Sequence, residues 1–128
     1  MVSTATDYAR FCQMLLNRGT LDGTRLLGRK TVELMTANQM PQQPSPFPTA
    51  LPGGPGHRMA LGVATLVDVA QAGLPGSVGS YTWTGAANTH FWVDPTEDLF
   101  ALFLVQRTPY SPRVFAAFPV LTYQALID

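Results

Sequence analysis

Nucleophilic, metal and phosphate chemistry each leave short signatures, and most are missing here. The serines are Ser3, Ser45, Ser77, Ser80 and Ser111. A nucleophile elbow needs Gly-x-Ser-x-Gly. Residues 76–80 read Gly-Ser-Val-Gly-Ser, which misses that spacing. The two histidines, His57 and His90, lack His-Glu-x-x-His or any neighbouring Cys/His ligand pattern. His57 is expected in a solvated loop, and His90 as a strand residue with a satisfied ring. Gly53-Gly54-Pro55-Gly56 follows no strand into a helix and holds no Gly-Lys-Ser/Thr, so it is not a phosphate cradle. Asp94, Glu97 and Asp98 cluster where a turn is expected, and read as a solvated hairpin tip rather than a metal site. No cofactor and no metal is called for.

What remains is the stretch 81–95, Tyr-Thr-Trp-Thr-Gly-Ala-Ala-Asn-Thr-His-Phe-Trp-Val-Asp-Pro. Residues 81–84 are β-branched or aromatic, as a half-buried pleat favours. Gly85-Ala86-Ala87-Asn88 lets the chain reverse and lets another group approach the backbone. Residues 89–93 alternate, with Phe91 and Val93 on one face and His90 and Trp92 on the other. Residues 94–98 form a turn, and 99–106 a further strand. The run 99–105 is apolar without alternation, which suggests cover on both faces.

The elements that must position this hairpin lie on either side. Thr4 is a good helix N-cap, with Asp7 completing a capping-box-like start. Tyr8, Phe11, Cys12, Leu15 and Leu16 then mark one apolar helical face, and Gly19 suits the C-terminal cap. Asp22-Gly23 marks a turn. A second helix is expected over 28–37 with Val32 and Met35 inward, so 1–37 is a helical segment. Residues 38–58 are dense in Pro and Gly and predict a long loop, either a linker or a flap over a cleft. Strands are expected over 59–106, the first over 59–68, with a loop at 73–79. A closing helix is expected over 111–128, starting at Ser111-Pro112 and kinked or split at Pro119. The fold class is α+β, a mostly antiparallel sheet with helices on its faces.

Composition narrows the partners. The 128 residues carry no net charge, and 46% are hydrophobic against 12% charged. Ordinary domains carry about 25% charged residues, so the chain reads either as a compact neutral protein or as one with apolar surface that lies against a partner or a further segment. With no basic cluster, nucleic acid and anionic membranes are not expected partners. No apolar run is long enough to span a bilayer. Cys12 is alone, so no internal disulfide forms and no compartment follows from it.

Trp83-Thr84-Gly85-Ala86-Ala87, followed by His90-Phe91-Trp92-Val93-Asp94-Pro95, resembles the third active-site patch of the class C β-lactamase-like and penicillin-binding-protein-like serine enzymes. Within these it is most similar to the family VIII carboxylesterases, where Trp-Gly-Gly or His-x-Gly replaces Lys-Thr-Gly. Ser3-Thr4-Ala5-Thr6-Asp7-Tyr8-Ala9-Arg10-Phe11, Arg25-Leu26-Leu27 with Lys30-Thr31-Val32-Glu33-Leu34-Met35, Leu61-Gly62-Val63, and the closing Tyr123-Gln124-Ala125-Leu126 are similar to that family's C-terminal third. The resemblance implies that Trp83, Thr84 and Gly85 edge the substrate cleft, and that the Ala86 amide is one of two oxyanion-hole donors. Trp83 stands where the lactamases have Lys. It offers no positive charge to a β-lactam carboxylate, which favours neutral esters or acyl chains packed on the indole.

No serine is followed by Lys three residues on, and no tyrosine (Tyr8, Tyr81, Tyr110, Tyr123) by Asn or Ser two residues on. In the family both patches lie upstream of the matched region. The resemblance therefore implies the C-terminal part of such an enzyme, inert alone, with an open sheet edge for the N-terminal part or a second copy. A second reading, in another class, is a stand-alone binding or oligomerisation module that reuses the fold.

Overall fold

A computed structural model describes residues 2–40, 54–109 and 111–127, and for residues 112–115 the backbone alone. The expected flap or linker falls mostly on 41–53, outside the described residues.

The chain opens with helix α1 (Ala5–Leu16). The Thr4 hydroxyl accepts the Asp7 amide at 3.1 Å and donates to the Asp7 carboxylate at 2.8 Å. That pairing satisfies one of the four amides a helix start leaves free. The helix ends at Asn17, not at Gly19. Arg18 takes a positive φ of 54°, and Gly19 turns the chain into a small hairpin, β1 (Thr20–Leu21) and β2 (Thr24–Arg25). A Cβ on Gly19 would sit 2.2 Å from the Leu27 carbonyl oxygen, so glycine there serves close backbone packing. Asp22 and Gly23 both have positive φ, as a two-residue hairpin turn demands. Helix α2 (Arg29–Thr36) follows, burying Val32.

One five-stranded antiparallel sheet organises the rest: β3 (His57–Met59), β4 (Ala64–Leu66), β5 (Tyr81–Thr84), β6 (His90–Asp94) and β7 (Leu99–Phe103), adjacent in chain order. The single strand expected over 59–68 is two. The chain reverses at Leu61-Gly62, where Gly62 has a φ of 85° and the Ala60 amide donates to Val63. Pairing begins at His57, so that residue lies on a half-buried strand rather than in a solvated loop. The short helix α3 (Val69–Ala72), capped by the Asp68 carboxylate, was not expected. Helix α4 (Pro112–Gln124) runs as one element with Pro119 inside it, so of the expected kink or split the split does not occur.

The pleat divides the sheet into two faces. Tyr81, Trp83, Phe91, Val93, Phe100 and Leu102 pack with Tyr8, Cys12 and Leu15 of α1. On the other face, Trp92 and Phe103 meet Phe118 of α4 at ring-centroid distances of 5.2 and 4.9 Å. The double cover of β7 matches its unbroken apolar run. Among the described residues, β7 pairs on one side only, with β6.

Candidate active-site wall

The β5–β6 hairpin brings the sequence-marked residues together. Trp83 faces Phe91 and Thr84 faces His90 in register. The Gly85 amide donates to the Thr89 carbonyl at 2.9 Å, and the Asn88 amide to the Gly85 carbonyl at 3.1 Å. A Cβ on Gly85 would sit 2.3 Å from Thr89 Oγ1. Glycine is therefore needed first for the turn to close on itself. Trp83, Thr84 and Gly85 are half-buried and Ala86 is exposed. Among the described residues no acceptor takes the Ala86 amide. A backbone N–H at an exposed turn of this kind is chemically able to donate to an incoming oxygen.

Asn88 does more than turn the chain. It sits in the left-handed region, with φ 65°, and is fully buried. Its Nδ2 donates to the carbonyls of Arg107 at 2.5 Å and Pro109 at 3.2 Å, and its Oδ1 accepts the Ser111 amide at 2.6 Å. The Arg107 amide also donates to the Ala87 carbonyl at 3.1 Å. The turn is thus bolted to the connection between β7 and α4. Sequence reading treated Asn88 as a small turn residue. Its preference for positive φ was visible, but its remote carbonyl partners were not.

Beside Trp83 lies an apolar pocket of about 210 Å³, whose lining includes Tyr8, Phe11, Met35, Leu61, Tyr81 and Phe91. Backbone bonds from Leu61 to Met35 and from Gln39 to Met59, and the Thr65 hydroxyl on the Thr36 carbonyl at 2.6 Å, hold α2 against the β3–β4 turn and shape this rim. Phe11 is 40% exposed although it lies on the apolar stripe of α1. The Tyr81 hydroxyl is buried with no hydrogen-bond partner among the described residues. Burial pushes its pKa upward, so it stays a neutral phenol. Burial likewise pushes the Cys12 thiol up to about 12, which leaves it unreactive.

Both histidines are held as partly or fully buried neutral rings. The Thr82 hydroxyl donates to the Phe91 carbonyl at 2.7 Å and so accepts from His90 Nε2 at 2.8 Å, which puts the proton on that nitrogen. Burial, with His57 nearby, pushes His90 down to about 4. It is a neutral ring in the sheet, as its place on a strand suggested. Burial lowers His57 as well. Asp94 corrects the expectation of a solvated tip. It is fully buried and accepts from the amides of Ser77 at 3.1 Å and Thr96 at 3.0 Å, and from the Tyr123 hydroxyl at 2.7 Å. Glu97 and Asp98 remain exposed, and no cluster of metal-ligating residues occurs among the described residues.

Comparison with known proteins places the family and the fold. The Beta-lactamase family model matches residues 1–125. Two Mycobacterium tuberculosis proteins, Protein Rv1367c and Uncharacterized protein MT1414, are each 35% identical over 113 residues, covering 84% of this chain and 28% of the relative. Among solved structures, a LovD6 mutant of simvastatin synthase from Aspergillus terreus superposes with a TM-score of 0.73 at 23% identity, over 95% of this chain and 33% of that one. EstCE1, described as a hydrolase with promiscuous acyltransferase activity, gives 0.63 at 23% identity, over 81% and 25%. The chain thus spans under a third of the length of these curated relatives.

Proposed function

This chain belongs to the serine β-lactamase-like superfamily as a C-terminal part, and from that we propose that it supplies one wall of an acyl-transferring serine active site whose nucleophile and base lie on other polypeptide. Trp83, Thr84 and Gly85 form the cleft edge, and the Ala86 amide donates to the carbonyl oxygen as it gains charge. The observation that carries the reading is the exposed turn beside Gly85, whose Ala86 amide has no acceptor among the described residues. Such a donor acts on charge that appears only in the transition state, and one of them contributes roughly 10²–10³ in rate. Trp83 beside the apolar pocket supports an uncharged acyl or ester substrate over one bearing a carboxylate. The low charge of the chain and the single-sided pairing of β7 support a strand of the N-terminal part as the natural neighbour of β7.

The test joins these residues to a family polypeptide bearing Ser-x-x-Lys, as a fusion or by mixing, and follows p-nitrophenyl ester hydrolysis. The expected result is turnover that falls about 10²–10³-fold on Ala86→Pro, which removes the donated N–H and also fixes φ at that position, in a protein whose fold is otherwise unchanged. Unchanged turnover in a folded Ala86→Pro protein overturns the assignment.

The same edge favours a second reading, a module that pairs through β7 with another copy of itself. A concentration-dependent dimer by light scattering, lost when a proline enters β7, supports that reading. A strict monomer rejects it.

A further inference from the structure

We propose that Asn88 is a positioning residue for the Ala86 amide, deepening the oxyanion-donor reading on which it rests. A turn that offers an amide to a transition state must hold it still, because the electrostatic gain depends on an orientation already set before charge develops. The local bonds here, Gly85 to Thr89 and Asn88 to Gly85, close the turn but fix it to nothing beyond the hairpin. Most of the anchorage comes from one side chain. Asn88 uses both donors and its acceptor on the connection between β7 and α4, at 2.5, 3.2 and 2.6 Å, and does so with no exposure to water. The Ala87 carbonyl adds one bond to the same connection, from the Arg107 amide. Ala86 and Ala87 therefore lie between a hairpin and a clamp.

The chemistry of the site specifies the amide. Two carbonyl oxygens and one N–H converge on it, a pattern that Asn satisfies and that no other residue suited to positive φ does. Asp presents only acceptors when ionised, and Gly presents nothing.

The experiment uses the isotope-labelled chain without any substrate, reading the backbone resonances of Ala86 and Ala87. In Asn88→Gly, which keeps the positive φ, both resonances are expected to shift further than any amide of β7 and to broaden. In Asn88→Asp their positions are expected to follow pH, native-like when the new carboxyl is protonated and displaced when it ionises, a transition absent from the parent chain, where His90, opposite Thr84, titrates at about 4. Tyr123→Phe, a lesion at the other end of the sheet, is expected to leave both resonances in place. Native Ala86 and Ala87 resonances in a folded Asn88→Gly, or throughout a titration of Asn88→Asp up to about pH 9, overturn the proposal, as does an equal displacement in Tyr123→Phe. The readout involves no turnover, so a failed hydrolysis assay rejects the oxyanion reading without touching the clamp.

Discussion

The Tyr123 hydroxyl donates a 2.7 Å hydrogen bond to Oδ2 of Asp94, joining the last turns of α4 to the end of β6 across 29 residues of sequence. Asp94 has no contact with solvent and also holds the Ser77 and Thr96 amides. Burial, followed by the bond to Asp94, holds the Tyr123 phenol well above its ordinary pKa. One carboxylate thus gathers a loop, a turn, a strand and a helix behind the hairpin.

Removing that carboxylate leaves three part-buried donors, the Ser77 and Thr96 amides and the Tyr123 hydroxyl, without their acceptor at once, each costing up to about 1–3 kcal/mol. Asp94→Ala is expected to lower stability by about 3 kcal/mol or more, and Tyr123→Phe by about 1–2 kcal/mol. Denaturant midpoints at an unchanged m-value measure both. Equal, negligible effects would show that the network contributes little.

The buried His90 sets a pH dependence. Its folded pKa, about 4, lies below the unfolded value of about 6.5. Between those values the unfolded chain binds the proton and the folded chain does not, so stability falls as pH drops from about 6.5 to 4 and then levels off for this group. The loss is of order 3 kcal/mol. His90→Gln, which keeps a donor for Thr82, is expected to flatten the fall. Equal acid sensitivity in both proteins would remove His90 as its source.

Gly85 is expected to be constrained by its own turn as much as by any substrate. Gly85→Ala places a methyl against Thr89 Oγ1, nominally at 2.3 Å. Relief requires turning a β-branched side chain or opening the turn, at about 1–3 kcal/mol. Combining it with Thr89→Ala should recover most of that loss, a non-additivity that thermal melts of the two single variants and the double variant would reveal.

The sequence made much of this visible, and its failures have physical causes. The cap at Thr4, the Asp22-Gly23 turn and the β5–β6–β7 meander follow from local rules, namely side chains that satisfy free amides, turn residues that accept positive φ, and period-two alternation. The hairpin turn at Gly85 was legible because its residues are contiguous. The break at Leu61-Gly62 was hidden inside a run of apolar and β-branched residues with strand character throughout. Asp94 misled because acidic residues beside a turn usually face water, and its partners Ser77 and Tyr123 lie 17 and 29 residues away. Asn88 misled for the same reason. Long-range partners decide the fate of a buried polar group, and local pattern does not reveal them.

The most direct test of the central claim is hydrolysis of p-nitrophenyl butyrate by the purified 128-residue chain alone. On the proposal that the nucleophile lies elsewhere, the rate is expected to equal the uncatalysed background. Turnover above background that vanishes when Ser3, Ser45, Ser77, Ser80 or Ser111 is replaced by alanine would contradict the account.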